Sequence, residues 1–218
     1  MSFSINTLIQ HANISFENAE KSQSKLTNEI LNLSGMSGKK TRHLYNNIGN
    51  LPGATYFEIG TYTGSTLISA LYENDIHAFG MDNFSEFGGP KEKCLFNLNT
   101  YVPNQSWTLI EKNFYKWTEQ YRLEYNVPPI DIFMYDGMHT KECQYDGIVN
   151  MFPYFSDNFI LIVDDWLYED TVVKPTYKAL KKIGVKIHYE KTLVTNENEG
   201  DGKETYWNGF GLFVCSKV

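Results

Sequence analysis

The sequence predicts an α/β fold: a three-layer α/β/α sandwich on a seven-stranded, mostly parallel sheet whose last strand is antiparallel. From residue 54 onward, short apolar segments alternate with segments of helical periodicity, and such βαβ units form parallel sheets with helices on both faces. The last two apolar segments have no helix between them. They are joined by the polar, glycine-bearing stretch 196–204, which favours a hairpin. A chain of 218 residues is long enough for one such domain.

Residues 1–50 are predicted to form a helical N-terminal extension that precedes an α/β domain at 51–218. Apolar residues recur at helical spacing between Leu8 and Phe16. Ser37 is expected to cap a further helix that runs to Ile48. The extension could serve as a lid, a scaffold or the face of a homodimer, and the sequence does not choose among these roles.

The remaining elements follow from local periodicity and turn residues. Apolar runs predict strands at 54–59, 76–81, 107–111, 131–135, 159–163, 186–194 and 206–215. Helical patterns are centred on 65–73, 90–100, 115–125, 141–152 and 171–183. Because the last strand follows its predecessor through a hairpin, we expect it to run antiparallel at one edge of the sheet.

Composition narrows the class of protein. The formal net charge is −7, which argues against a nucleic-acid or membrane partner, since both favour basic surfaces. Cys94, Cys143 and Cys215 are far apart in sequence, so neither a disulfide framework nor a thiolate metal site is indicated. The sequence shows neither a membrane-length apolar run nor a signal-peptide pattern at its start. We therefore expect a cytoplasmic protein with free thiols.

The segment 56–66 is the most informative motif, because it reads as a strand, a glycine turn and the start of a helix. Its glycines allow close backbone approach to a ligand, and the helix start offers free N–H groups. A carboxylate at the strand end repels phosphate, and a tyrosine stands where a dinucleotide fingerprint needs glycine. A cationic ligand without phosphate fits better, and S-adenosylmethionine is the common one. The predicted cofactor residues here are Glu58, Gly60, Thr61, Tyr62, Gly64 and Ser65.

Further cofactor contacts are expected where later strands end, because ligands of open parallel sheets gather beyond the carboxyl ends of the strands. Asp82 follows the second strand, 24 residues after Glu58, and is predicted to accept hydrogen bonds from the ribose hydroxyls. A turn or helix cap is the alternative for this residue. Asn83, Asn113 and Phe114 are predicted to border the adenine.

Three carboxylates follow strands four and five, which should be neighbours in the sheet. Asp136 ends one strand, and Asp164 and Asp165 end the next. Like charges repel strongly unless a cation lies between them, and ligation by oxygen favours Mg²⁺. The alternative is that these residues cap the helices near Lys141 and Thr171; we favour the metal site.

A histidine lies close to this predicted metal site. His139 comes three residues after Asp136, so both can face one cavity. A neutral imidazole there could take the proton of a substrate hydroxyl, which makes His139 and Asp136 the candidate catalytic residues. Asp136 is also expected to border the cofactor. A purely structural role for the histidine is equally open.

These motifs resemble a known group of enzymes. Phe57–Gly64 with Gly80–Asn83 resembles the first two motifs of class I S-adenosylmethionine-dependent methyltransferases. Tyr135–His139 and Ile162–Trp166 resemble the subfamily of bacterial methyltransferases that act on sugars and small hydroxylated molecules. The resemblance covers about 36–215, including Trp207–Phe213 as the last strand, and it implies a Rossmann-like fold and an S-adenosylmethionine cofactor.

The pattern is also similar to the metal-dependent branch typified by catechol and macrolide-sugar O-methyltransferases. That similarity implies Mg²⁺ on Asp136, Asp164 and Asp165. Catechol enzymes carry a lysine three residues after the first acid, where this chain has His139. The expected activity is Mg²⁺-assisted O-methylation of a hydroxyl on a small molecule or sugar. A metal-free N- or C-methyltransferase, a nicotinamide-dependent oxidoreductase and a non-catalytic cofactor-binding module remain alternatives. Trp166, Tyr168 and Trp207 are candidate walls of the acceptor pocket.

Overall fold

A computed structural model describes residues 3–195 and 203–218 and has the predicted α/β architecture. Within those ranges seven strands form one sheet in the order β3-β2-β1-β4-β5-β7-β6. The strands are β1 (Thr55–Ile59), β2 (His77–Asp82), β3 (Ser106–Glu111), β4 (Ile130–Tyr135), β5 (Phe155–Asp164), β6 (Lys186–Leu193) and β7 (Phe210–Ser216). The first five pair in parallel, whereas β7 is antiparallel to both β5 and β6. The Rossmann-like, mostly parallel sheet is therefore confirmed.

The helices cover both faces of this sheet. They are α1 (Ile5–Glu20), α2 (Asn28–Leu31), α3 (Lys39–Gly49), α4 (Ser65–Leu71), α5 (Lys91–Tyr101), α6 (Glu119–Glu124), α7 (Lys141–Met151) and α8 (Lys174–Ile183). Short 3₁₀ turns occupy Phe114–Lys116 and Phe152–Tyr154, and a π-helical turn at Glu169–Val173 leads into α8. In the described part of the chain, no helix has the length and apolar character needed to cross a membrane.

Two hydrophobic cores lie on opposite faces of the sheet, because successive strand side chains point to opposite sides. In β1, Tyr56 packs into the core formed with α1, α3 and α4, and its neighbour Phe57 packs into the core formed with α7 and α8. Both residues are fully buried. The strands are thus covered on both faces, as their near-continuous apolar sequences require.

The N-terminal extension shares the first of these cores with the sheet. Leu8 and Ala12 of α1, and Leu44 and Ile48 of α3, are fully buried in it. The prediction that Ser37 caps α3 is wrong, since Gly38 occupies the N-cap position. The Ser37 hydroxyl instead accepts a hydrogen bond from Nε of Arg42 at 3.0 Å.

The last strand lies one position further inside the sheet than expected. Its antiparallel direction is confirmed, but β7 sits between β5 and β6, so that β6 forms the edge. Burial explains this order. Six of the seven β7 residues are buried, whereas β6 alternates polar and apolar residues and is mostly exposed or half-buried. An alternating, lysine-bearing strand tolerates the edge position, where charged side chains hinder unwanted pairing. Most of the predicted 196–204 link lies outside the described residues.

Three other predicted boundaries differ from the structure. Strand five begins at Phe155 rather than 159. Its polar start is held because the Ser156 hydroxyl donates to Asp131 at 2.6 Å. The helix predicted at 115–125 is divided, since Thr118 caps a separate α6. The last strand begins at Phe210, because residues 206–209 form a turn.

Candidate functional site

The carboxyl ends of β1, β2, β4 and β5 open into one cavity of about 890 Å³. Ten of the predicted site residues line it: Gly60, Tyr62, Asp82, Asn83, Asn113, Phe114, Asp136, His139, Asp164 and Asp165. Four others are buried in or beside the turn and do not line the cavity: Glu58, Thr61, Gly64 and Ser65. The parallel sheet accordingly brings most of the predicted residues together.

The turn after β1 depends on glycine at Gly60. This residue has φ +91°, and a Cβ there would overlap the carbonyl oxygen of Asp136. Its N–H donates to the Met81 carbonyl at 2.9 Å, and the N–H of Asp136 donates to the Ile59 carbonyl at 2.9 Å. The bend therefore packs directly on the start of the loop that follows β4, with room only for a hydrogen atom.

Glu58 holds the turn from below rather than facing the cavity. One carboxyl oxygen lies 2.9 Å from the Tyr56 hydroxyl and the other 2.9 Å from the Thr66 hydroxyl. Burial raises the pKa of Glu58 to about 8, because an isolated charge is costly in an apolar interior. Glu58 therefore joins the end of β1 to α4, and direct contact with a cofactor would need a different side-chain position.

Asp82 links the two loops that bound one end of the cavity. Its Oδ2 accepts the Tyr62 N–H at 2.8 Å, and its Oδ1 accepts the Phe84 N–H at 2.7 Å. The second contact is the local turn that Asp favours. The carboxylate also lines the cavity and keeps further lone pairs, so the turn role and ribose binding are compatible.

Aromatic side chains surround the same end of the cavity. Phe114 packs against Tyr115 with ring centroids 4.2 Å apart. Phe87 meets Tyr62 edge to face at 5.3 Å, although Phe87 is 65% exposed. Asn113 caps the 3₁₀ turn through its side-chain oxygen, which accepts the Tyr115 N–H at 2.9 Å. All of these residues line the cavity.

The acidic end of the cavity is organised around an imidazole. His139 Nδ1 lies 2.9 Å from Asp165 Oδ2, and its Nε2 lies 3.6 Å from Asp136 Oδ1. Burial lowers the pKa of His139, but the neighbouring carboxylates of Asp136 and Asp165 outweigh burial and raise it to about 10. The histidine is therefore an imidazolium at neutral pH, and it supplies the cation that the clustered carboxylates require.

Asp164 points away from this group. It is 3% exposed, and the Tyr45 hydroxyl of α3 lies 3.5 Å from its Oδ1. Burial, together with the charges of Asp136 and Asp165, raises the pKa of Asp164 well above its usual value. Asp164 is thus largely buried at the edge of the cavity and is directed towards α3 rather than towards His139.

Helix capping does not account for these three acids. The Thr140 hydroxyl caps α7 by accepting the Cys143 N–H at 3.1 Å. Tyr168 occupies the N-cap position of the π-helical turn before α8. The alternative weighed from the sequence is therefore wrong for Asp136, Asp164 and Asp165.

The residues present fit a divalent cation. Asp136, His139 and Asp165 each offer a ligand atom, and these atoms lie within 4.8 Å of one another. Within the described residues, His139 Nε2 is also buried without a hydrogen-bond partner, so once the ring is deprotonated its lone pair can either bind a metal or accept a proton. Two carboxylates and one imidazole can bind Mg²⁺ or Mn²⁺. This ligand set is less selective for those two metals than a set of oxygen atoms alone. Asp164 lies outside this group.

Sequence reasoning missed Asn208 and misjudged one aromatic wall. Asn208 lines the cavity, and its Nδ2 donates to Asp165 Oδ1 at 2.7 Å. Trp207 lines the cavity, as expected, and Tyr168 lies nearly parallel to the His139 ring at 6.4 Å. Trp166 instead packs in the core, 5.6 Å from Phe213. The dipeptide Asn208-Gly209 predicts a turn. That this turn lies beside the cavity depends on the order of the strands in the sheet, which the dipeptide does not indicate.

The match to a family model shows which protein family this chain belongs to. Residues 57–166, which make up half of the chain, match the model described as a methyltransferase domain. The chain belongs to this methyltransferase family. The matched stretch runs from the strand before the glycine turn to the acidic loop, so it contains most of the residues that line the cavity, although Trp207 and Asn208 lie outside it.

Solved structures share the fold of this methyltransferase. An O-methyltransferase from Bacillus cereus, solved in complex with SAH, aligns with a TM-score of 0.60 at 12% identity over 95% of this chain and 91% of that one. The cyclopropane synthase MmaA2 from Mycobacterium tuberculosis aligns with a TM-score of 0.56 at 10% identity over 93% and 98%. At such identities the likeness shows the fold alone.

A third structure is much longer than this chain. A candidate SAM-dependent methyltransferase from Streptococcus mutans aligns with a TM-score of 0.58 at 12% identity over 82% of this chain and 48% of that one. This chain therefore spans about half of that protein's length. No curated protein sequence matches the chain.

Proposed function

We propose that this methyltransferase transfers the methyl group of S-adenosylmethionine to a hydroxyl of a small molecule or sugar, assisted by a divalent cation such as Mg²⁺. The observation that carries the proposal is the imidazole of His139 held between Asp136 and Asp165 at the acidic end of the cavity. A hydroxyl must lose its proton as its oxygen is methylated, and this cluster is suited to accept one. Amine acceptors already carry a free lone pair when neutral and need no such group.

The two ends of the cavity suit the two substrates. The glycine turn with Gly60, the carboxylate of Asp82 and the aromatic ring of Phe114, all of which line the cavity, would hold the cofactor. The end bounded by His139 and Trp207 would hold the acceptor. A volume of about 890 Å³ lies within the range of small-molecule sites, and the net charge of −7 disfavours a nucleic-acid acceptor.

The transfer itself is a single displacement. The acceptor oxygen forms a bond to the methyl carbon, the carbon–sulfur bond breaks, and the sulfonium becomes a neutral thioether. The hydroxyl proton passes to Nε2 of His139. Opposite charges disappear as the new bond forms, so alignment of the two substrates should supply most of the acceleration.

Protonation decides whether His139 can act in this way. With a pKa raised to about 10, the imidazolium is already protonated at neutral pH and is not a base. A divalent cation bound to Asp136 and Asp165 would replace that positive charge, lower the pKa of a bound acceptor hydroxyl and leave the imidazole neutral. We therefore expect turnover to depend on the metal.

The test measures SAH formation with a panel of acceptors. Purified full-length protein is incubated with S-adenosylmethionine and phenols, catechols, sugars or amines, in either excess EDTA or millimolar Mg²⁺. We expect turnover with a hydroxyl acceptor and its suppression by EDTA. Turnover with amines alone, or an undiminished rate in EDTA, would contradict O-methylation or the metal respectively. Cofactor binding without transfer to any acceptor would favour a non-catalytic module.

We also propose that the enzyme is cytoplasmic. Cys94, Cys143 and Cys215 are buried and unpaired, which fits a reducing cytoplasm. We further infer that the enzyme has neither a nucleic-acid nor a membrane partner and that a homodimer, if formed, uses the N-terminal extension. Light scattering of the purified full-length protein, compared with an α1 surface variant such as Ile14→Glu, tests the last point, since Ile14 is 47% exposed.

A further inference from the structure

Two residues in left-handed backbone conformations face each other at the acidic end of the cavity. Asp165 has φ +57° and Asn208 has φ +61°. The Leu167 N–H donates to the Asn208 carbonyl at 2.8 Å, and the Tyr168 N–H donates to the Asp165 carbonyl at 3.1 Å. The first of these bonds joins the loop after β5 to the turn before β7, and the second closes the loop on itself.

A chain of hydrogen bonds runs through these side chains to the imidazole. Nδ2 of Asn208 donates to Oδ1 of Asp165 at 2.7 Å, and Oδ2 of the same carboxylate lies 2.9 Å from Nδ1 of His139. A carboxylate only accepts hydrogen bonds, so the amide must present its nitrogen to it. One carboxylate oxygen is thus assigned to the amide and the other to the imidazole.

The turn alone does not explain asparagine at this position. Asn208 is 5% exposed, and within the described residues its Oδ1 is buried without a hydrogen-bond partner. An unsatisfied buried acceptor is destabilising, and glycine adopts a positive φ more readily than asparagine. Glycine would therefore serve the turn better, and what asparagine adds is the hydrogen bond to Asp165.

We propose that Asn208 is a positioning residue, which holds Asp165 in the rotamer that orients His139. Its catalytic meaning rests on the proposed function of His139, but the positioning itself does not. Without the amide, Asp165 is free to rotate about χ1 and χ2, and the Nδ1–H of His139 loses its fixed acceptor.

The test follows the Nδ1–H proton of His139 by NMR in full-length protein labelled with ¹⁵N-histidine, in excess EDTA and without cofactor. The resonance is assigned by its loss in His139→Gln. We expect a downfield, slowly exchanging signal in the parent protein. In Asn208→Gly it should move upfield or exchange at least about tenfold faster. Asn208→Asp, which keeps the shape and removes the donor, should do the same at pH 8.

Asn126→Gly is the matched control, because Asn126 also has a positive φ, +52°, and lies on the turn after α6. It should leave the His139 signal unchanged. An unchanged signal in both Asn208 variants would overturn the proposal.

Thermal unfolding and SAH calorimetry separate positioning from general damage. For Asn208→Gly we expect an unfolding midpoint equal to or above that of the parent protein, and SAH affinity within about twofold. A lowered midpoint together with lost SAH binding would make Asn208 a structural residue and contradict the proposal. None of these measurements needs an acceptor or a metal, so failure of the proposed O-methylation would leave the NMR result intact and distinguishable.

Discussion

The Oδ2 atom of Asp82 accepts the backbone N–H of Tyr62 at 2.8 Å. The residue that ends β2 therefore holds the glycine turn that ends β1, and it does so across the cavity end assigned to the cofactor. We therefore expect cofactor binding and turn geometry to be coupled through this one carboxylate.

Asp82→Ala should weaken SAH binding by roughly 10–100-fold, the usual effect of losing a hydrogen bond to a charged group. Both the turn contact and the ribose acceptor disappear in this variant. Isothermal titration with SAH measures the change. Asp75→Ala, at an exposed site just before β2, is the control and should bind normally. Equal affinities for the two variants would remove Asp82 from the cofactor site.

Gly60→Ala should damage the site more than the same change at Gly53. Both glycines have positive φ, +91° and +78°, but a Cβ at Gly60 meets the Asp136 carbonyl whereas a Cβ at Gly53 meets nothing within 4 Å. Gly53→Ala should lower the free energy of unfolding by about 1 kcal/mol, because alanine disfavours the positive φ. Gly60→Ala should lower it by several kcal/mol and abolish SAH binding. Unfolding midpoints and titration measure both effects, and similar losses at the two sites would contradict the close packing.

Glu58 should make stability fall as pH rises. Its pKa is raised from the usual 4.5 to about 8 by burial. Below about 4.5 the acid is protonated in both the folded and unfolded states, and between these values only the unfolded state ionises freely. Between about pH 4.5 and 8, the contribution of Glu58 to the free energy of unfolding therefore decreases by up to about 1.4 kcal/mol per pH unit.

Glu58→Gln should flatten this dependence, because the amide stays neutral at every pH. The measurement is the thermal midpoint at pH 5, 6.5 and 8 in both proteins. Thr66→Val, which removes one hydrogen-bond donor to Glu58 but leaves the carboxyl, should keep the slope. A parallel decline in the parent protein and Glu58→Gln would show that Glu58 is ionised in the folded state.

His139 should also make stability fall as pH rises, but over a higher pH range than Glu58. Its pKa is raised from 6.5 to about 10, so the stabilisation is complete below about 6.5 and is lost as pH rises towards 10. In excess EDTA, the parent protein should lose unfolding free energy over this range, whereas His139→Gln should start lower by about 1–3 kcal/mol and change less. Chemical denaturation at pH 7 and 9.5 measures the difference. Equal slopes would rule out the bridging imidazolium.

Mn²⁺ should stabilise the folded protein if the acidic cluster binds a divalent cation. A cation present at 100 times its dissociation constant adds about 2.7 kcal/mol to the free energy of unfolding. For a chain of this size, that raises the unfolding midpoint by roughly 5–10 °C. Asp136→Asn should abolish the shift. Asp157→Asn, at an exposed position near the start of β5, should retain it. An identical shift in both variants would place the cation elsewhere.

Much of the site could be predicted because parallel strands deliver their carboxyl ends to one edge. Gly60, Asp82, Asp136 and Asp165 each follow a strand, so their convergence requires only the strand assignment and the βαβ rule. Local turn chemistry and periodicity were sufficient for that inference.

The partners of the acidic residues could not be predicted in the same way. Asp164 and Asp165 are consecutive, yet one faces Tyr45 of α3 and the other faces His139, because the chain leaves the strand at Asp165 with φ +57°. Sequence adjacency gives no sign of this divergence.

The sequence by itself determined the parallel sheet, the glycine turn and the row of polar residues along the carboxyl edge, since these follow from short-range pattern and strand direction. Only the tertiary structure decided that β7 enters between β5 and β6, which brings Asn208 against Asp165, and that Glu58 is buried under the turn. Both depend on which faces are covered by distant parts of the chain, and burial, unlike periodicity, is a property of the whole packed molecule.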